Sequence, residues 1–206
     1  MQSCIVLMGI KHCGKSTQAN LLARHFSVPA FDTDDLILEM TGKTPRQIYT
    51  ELGQEGFKKA EKEACLELKK RLEKLSVTDR DGSRADNEKK YLAVAATGGG
   101  ICNNPEAVEI LKQNGILVFL NADEHIAVNR IIREVKTDVT GKLFNLPAYI
   151  AKENPCTTGD VRKIFHRFYS ERQKVYGSIC QITVDMGNAS KKENCNAIIQ
   201  ALTQKA

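Results

Sequence analysis

The chain has 206 residues, 42% of them hydrophobic, enough to bury a sizeable core within one ordinary domain. Its 30 lysines and arginines outnumber 25 acidic residues, and the resulting charge of +5 suits an anionic small molecule without the clustering expected of a nucleic-acid binder. Seven cysteines form no C-x-x-C pair and make an odd set, which indicates neither a zinc cage nor a secreted disulfide framework. No stretch approaches the roughly 18 apolar residues of a membrane span, and no charged leader precedes the first apolar run. A cytoplasmic chain with reduced thiols, with neither membrane nor nucleic acid as partner, is therefore expected.

Short apolar runs alternate with longer helical patterns, which predicts an α/β fold with a parallel sheet covered by helices. Strands are expected at 4–8, 30–32, 91–96, 116–120 and 179–184. Helices are expected at 15–26, 34–41, 45–52, 54–75, 105–114, 124–135, 160–176 and 192–204. Two stretches lack apolar periodicity. Residues 76–90 read as a surface excursion, and 136–159, with Gly141, Pro147 and Pro155, as a long irregular loop of the kind that forms lids. One domain over 1–206 without internal repeats is expected.

The chain is organised around residues 9–17, GIKHCGKST, which satisfy G-x-x-x-x-G-K-[ST] directly after the strand-like run CIVLM. Such a loop needs a buried strand to hold it, glycines (Gly9 and Gly14) that let backbone approach phosphate oxygens, and a helix whose N-terminal amides favour negative charge. Lys15 would reach the β- and γ-phosphates, and the Ser16 hydroxyl would ligate Mg²⁺. Cys13, close to a helix N-terminus and to Lys15, is either a reactive thiolate or a small residue filling a serine site.

Four further constellations follow. In FDTDD, Asp32 and Asp34 point the same way if the strand runs through both; one could hold Mg²⁺ through water and the other take the proton of a hydroxyl. The alternative is that Thr33, Asp34 and Asp35 cap the next helix. Glu61 interrupts the apolar stripe Phe57, Ala64, Leu68, Leu72, Leu75, and is either paired across a pocket or an exposed partner of Lys58. Arg172 interrupts the stripe Val161, Ile164, Phe165, Phe168, Val175, Tyr176, where it snorkels at an edge or binds ligand. Thr97-Gly98-Gly99-Gly100 follows the third strand directly, as a tight turn or as a place where backbone amides meet a ligand.

Together these residues resemble the shikimate kinase family, a branch of the nucleoside-monophosphate-kinase-like fold. The likeness runs through GIKHCGKST, FDTDDLI, the G-x-x-x-F-x-x-x-E of 53–61, ATGGG, the R-x-x-R of 130–133, ERQKVY and the final VD. It implies a three-layer fold with a five-stranded parallel sheet of order 2-3-1-4-5 and a lid at 136–159. It also implies acceptor-binding helices at about 34–75, ATP and Mg²⁺ as cosubstrate and cofactor, and a monomer. By the resemblance Gly9, Cys13, Gly14, Lys15, Ser16 and Thr17 hold the nucleotide, and Ser16 and Asp32 the metal. Arg133 lies against adenine. Asp34 is the base and holds ring hydroxyls. Glu61 orients Arg172, which clamps the acceptor carboxylate with the amides of Gly98, Gly99 and Gly100. Three departures stand out. Lys58 replaces an arginine of the clamp, the lid arginine is missing with Lys142 as candidate substitute, and His12 and Cys13 stand where glycine and serine are usual.

Three functions follow from this reading. The first is ATP-dependent phosphorylation of a shikimate hydroxyl, in which Lys15, Asp34 and Arg172 carry the chemistry. The second is a related kinase acting on another small hydroxylated acid. The third is a nucleotide-binding regulator without turnover.

Overall fold

The computed structural model describes residues 4–80 and 91–205. Its order is β1 Cys4–Met8, α1 Lys15–Phe26, β2 Ala30–Asp32, α2 Thr33–Thr41, α3 Pro45–Arg80, β3 Ala93–Ala96, α4 Pro105–Asn114, β4 Gly115–Ala122, α5 Glu124–Glu134, β5 Lys136–Thr137, β6 Leu143–Phe144, α6 Ala148–Ala151, α7 Thr158–Ile179, β7 Ile182–Met186 and α8 Lys191–Gln204. Five parallel strands form one sheet of order β2-β3-β1-β4-β7, which is the order expected once the small β5–β6 ribbon is set apart. β1 at its centre is buried at every residue, as a strand covered on both faces must be. Burying each of Ile5, Val6 and Leu7 contributes roughly 1.5–3 kcal/mol, and this fixes the loop that follows. α1 and α8 pack together on β3 and β7, while α4 and α7 pack on β4, and α3 lies against α2 and α4.

Several boundaries differ from expectation for local reasons. α7 starts two residues early because Thr157 and Asp160 form a reciprocal capping box. It then runs through Ile179, and the last strand begins at Ile182. There Ile182, Val184 and Met186 point inward in strict alternation, while Ile179 still belongs to α7 and Cys180 caps it, its amide donating to the Tyr176 carbonyl. α3 continues to Arg80 because residues 76–80 contain no helix breaker; the rest of the expected surface excursion lies outside the described residues. The break predicted at Gly53 is present, with φ 67 and ψ −166, a conformation essentially closed to side-chain-bearing residues. Tyr49 and Phe57 meet edge to face across it, 6.1 Å apart.

The stretch 136–159 is not irregular throughout, contrary to expectation. Asp138 Oδ1 accepts from the amides of Thr140 and Lys142 and closes the β5–β6 turn. One short helix, α6, follows. These pieces are too brief to register as periodicity.

Candidate active site

Gly14 caps α1 in a left-handed conformation, so the helix begins at Lys15 and its first amides face the loop. Lys15 is buried, and its Nζ donates to the carbonyls of Gly9 (2.9 Å) and Ile10 (2.8 Å) and lies 3.7 Å from Cys13 Sγ. Ser16 Oγ donates to Asp32 Oδ2 at 2.7 Å, while Asp32 Oδ1 accepts from the Asp34 amide at 3.0 Å. The strand therefore ends at Asp32, which is itself the helix cap, and Asp34 stands in the first turn of α2 rather than along the strand. This corrects both the same-side reading and the cap at Thr33 to Asp35. Thr17 is exposed beside Ser16.

The second half of the site lies across the glycine turn. Gly99 packs so closely on the phosphate loop that a Cβ there would come within 2.7 Å of the Lys11 amide nitrogen, so the two loops abut backbone to backbone. The Gly98 amide donates to Thr33 Oγ1 and is committed to the fold. Among the described residues no hydrogen bond takes up the amides of Gly99 or Gly100, and both line a cavity of about 400 Å³. Lys11, Asp34, Lys58, Glu61 and Arg172 line it too.

The sequence reading pairs Glu61 with Arg172, and here the structure differs. Glu61 is held by Asn104, whose side-chain nitrogen donates to Glu61 Oε2 (3.2 Å) and to the Lys58 carbonyl (2.8 Å). Arg172 instead donates to the Gly99 carbonyl at 2.9 Å, with its guanidinium 4.9 Å from the Tyr149 ring and 5.1 Å from the Phe168 ring. Its stripe is aromatic, and that, not an acid, sets its orientation. Lys58 pairs with Glu55 (3.2 Å) rather than Glu61, although it faces the cavity. Asn104 carries an ordinary helix-cap signature, Asn before Pro, so its second role has no sequence signal; Tyr149 sits in the aperiodic lid and has none either.

Buried atoms without hydrogen bonds gather in this cavity: Asp34 Oδ1, Glu61 Oε1 and Arg172 Nε. Burial, reinforced by the Asp32 charge, raises Asp34 to about 6. Burial also raises Glu61 to about 7, with the Asn104 bond and Arg172 opposing and Asp34 adding to it. Native proteins rarely leave such groups unsatisfied, and clustered at one cavity they describe a polar ligand's complement.

Arg133 lines a separate cleft with Asp123, Arg130 and Asn188, and Arg130 donates to the His12 carbonyl of the phosphate loop. Lys142 lines a third cavity with Arg46 and Cys156, one that includes no phosphate-loop residue. In this conformation Lys142 and the loop are not brought together. Cys13 is 3% exposed and Cys156 is the exposed thiol. Brief treatment with an alkylating reagent should therefore label Cys156 first, and Cys156→Ser should remove that fast phase in peptide mapping. Fast labelling that persists on Cys13 would mean the loop opens readily.

A phosphate loop on a parallel sheet, abutting a polar cavity with a buried acid and a buried arginine, defines a phosphotransferase acting on a small anionic acceptor. The family model for shikimate kinase matches residues 11–77 and 85–203. Shikimate kinase of Pelotomaculum thermopropionicum is 30% identical over 200 residues, covering 97% of this chain and 95% of the relative; that of Desulforudis audaxviator is 29% identical over 201 residues, covering 98% and 87%. Among solved structures, shikimate kinase from Acinetobacter baumannii in complex with shikimate overlays with a TM-score of 0.75 at 21% identity, covering 100% of this chain and 95% of that one. The Aquifex aeolicus enzyme overlays at 0.66 with 24% identity, covering 98% and 97%. The chain belongs to the shikimate kinase family. Like its family it is an ATP-using kinase, and none of its described helices is long and apolar enough to cross a membrane.

Proposed function

We propose that this chain transfers the γ-phosphoryl group of ATP to a ring hydroxyl of shikimate within a single domain, as a cytoplasmic monomer. The observation that carries it is the cavity in which unsatisfied Asp34, Glu61 and Arg172 atoms meet the phosphate loop at Lys11 and Gly99. Nucleotide phosphates take the loop amides from Gly9 to Thr17, and Lys15 leaves its two carbonyls for the β- and γ-oxygens. Arg133 lies beside the base. Ser16 and Asp32, two oxygen donors already 2.7 Å apart at the loop, fit Mg²⁺, which when bound neutralises phosphate charge. The acceptor hydroxyl oxygen attacks the γ-phosphorus, the bond to the β,γ-bridging oxygen breaks, and the hydroxyl proton passes to Asp34 Oδ1. Arg172, Lys58 and the amides of Gly99 and Gly100 hold the carboxylate, with Asn104 fixing Glu61 behind them. Lys142 has no place in this scheme.

The test is a panel of hydroxylated acids in a coupled ADP-release assay, in which shikimate gives the highest kcat/KM. A sugar acid outperforming it would favour the related-kinase reading, for which the pairing of Lys58 with Glu55 is the motive. Lys58→Ala should raise the acceptor KM by about tenfold, the lower end of a charge-assisted hydrogen bond, and leave the ATP KM nearly unchanged. An unchanged acceptor KM would leave Lys58 as a partly exposed partner of Glu55 and nothing more.

A further inference from the structure

His12 occupies the middle of the phosphate loop with φ 66, a left-handed conformation that glycine adopts without cost and a side-chain-bearing residue does not. Glycine would meet the backbone's demand here at lower cost, so what this position gains over glycine is the imidazole side chain. Its Nε2 is buried and makes no hydrogen bond among the described residues, yet it lies 3.6 Å from Glu134 Oε2. That separation is roughly half an ångström beyond an N–H···O hydrogen bond. Burial, more than the neighbouring charges of Lys11, Lys15 and Arg130, lowers the imidazole's affinity for a proton, and Glu134 alone opposes this. The imidazole thus faces the carboxylate across a small gap, with burial disfavouring its charged form.

Glu134 is the last residue of α5, next to the lid's first strand. Its carbonyl accepts from Asn145 Nδ2, on the far side of the lid turn, and its side chain lines the acceptor cavity. One residue therefore touches the phosphate loop through His12, the lid through Asn145, and the acceptor cavity directly. We propose that His12 is a positioning residue which, with Glu134, ties the phosphate loop to the root of the lid, so that nucleotide binding closes the His12–Glu134 gap and draws the lid over the acceptor. This inference rests on the nucleotide half of the proposed function and is independent of which acid is the acceptor.

The experiment is amide hydrogen exchange of residues 136–146 with and without MgADP, on the full chain. The wild type should slow by about fivefold or more on adding MgADP, and His12→Ala and Glu134→Ala should each keep less than about twofold of that protection. His12→Gln, whose terminal nitrogen reaches the Nε2 position with the same backbone conformation, should restore most of it. Fluorescent ADP binding to Glu134→Ala should change by less than about threefold, so that the loss there is one of coupling and not of affinity. Glu134→Ala, on an exposed helix end, keeps the experiment decisive should a loop variant fail to fold. No ADP-induced protection in the wild type, equal behaviour of the Gln and Ala variants at His12, or full protection in Glu134→Ala would each overturn the proposal. If shikimate is not phosphorylated by a wild type whose lid responds to ADP, the acceptor assignment falls and this coupling stands.

Discussion

Lys15→Ala should reduce turnover by roughly 10³-fold or more, the largest loss expected of any single change, because under the proposed mechanism the transferring phosphoryl group loses the ammonium charge beside it. Its stability consequence is less obvious. From sequence alone Lys15 is dispensable to the core, but its Nζ serves the carbonyls of Gly9 and Ile10 at 2.9 and 2.8 Å, and truncation leaves both without their donor. A stability loss of about 1 to 3 kcal/mol is therefore expected in the ligand-free protein, read as a lower midpoint in denaturant. Circular dichroism separates the two effects. A folded mutant with the wild-type rate would remove Lys15 from the mechanism, and an unchanged midpoint would show that water replaces the ammonium group in the loop.

Asp34→Asn keeps shape while removing the proposed proton acceptor, and kcat should fall by about 10²-fold or more with ATP affinity little changed. Because burial raises Asp34 to about 6, the wild-type kcat/KM for the acceptor should climb as pH rises through that value, a limb absent from the mutant's residual rate. Stability runs the other way. The folded state holds the Asp34 proton to higher pH than the unfolded chain does, so stability is full in acid and is lost as pH rises from near 4 to about 6. Glu61, raised to about 7, extends the decline upward. Asp34→Asn should accordingly be more stable than the wild type at pH 8, by about 1 to 3 kcal/mol. A mutant that is less stable at pH 8, or a wild-type rate flat between pH 5 and 7, would mean that Asp34 is neither strained by ionisation nor the base.

The sheet was legible because its central strands are apolar on both faces and β1 and α1 flank a recognisable loop motif. Gly53 was legible for the same reason, a glycine between two periodic stretches. Site residues that break an apolar stripe, Glu61 and Arg172, could be picked out because a buried charge violates the pattern around it. What each one touches could not. Asn104 reaches Glu61 from 43 positions away and Tyr149 covers Arg172 from the lid, contacts that only the packing of α3 on α4 and of α6 on α7 creates. Asp32 and Asp34 show the limit of local reading, since whether they share a side depends on one residue's difference in where the strand stops.

The break at Gly53 divides the wall of the acceptor cavity into two pieces of different ancestry of constraint. Arg46 and Tyr49 lie before it, and Phe57, Lys58 and Glu61 after it. The second piece is fastened through Asn104, while the first is anchored by the buried Ile48 and the Glu51–Lys43 ion pair and meets the second at the Tyr49–Phe57 ring edge. Substitutions at Arg46 and Tyr49, which line the cavity, can therefore reshape what the wall admits without touching the Asn104–Glu61 bond. A laboratory library at Arg46 and Tyr49, which spares the buried Ile48, is the direct way to vary the wall while the Asn104 anchor of Glu61 stays in place.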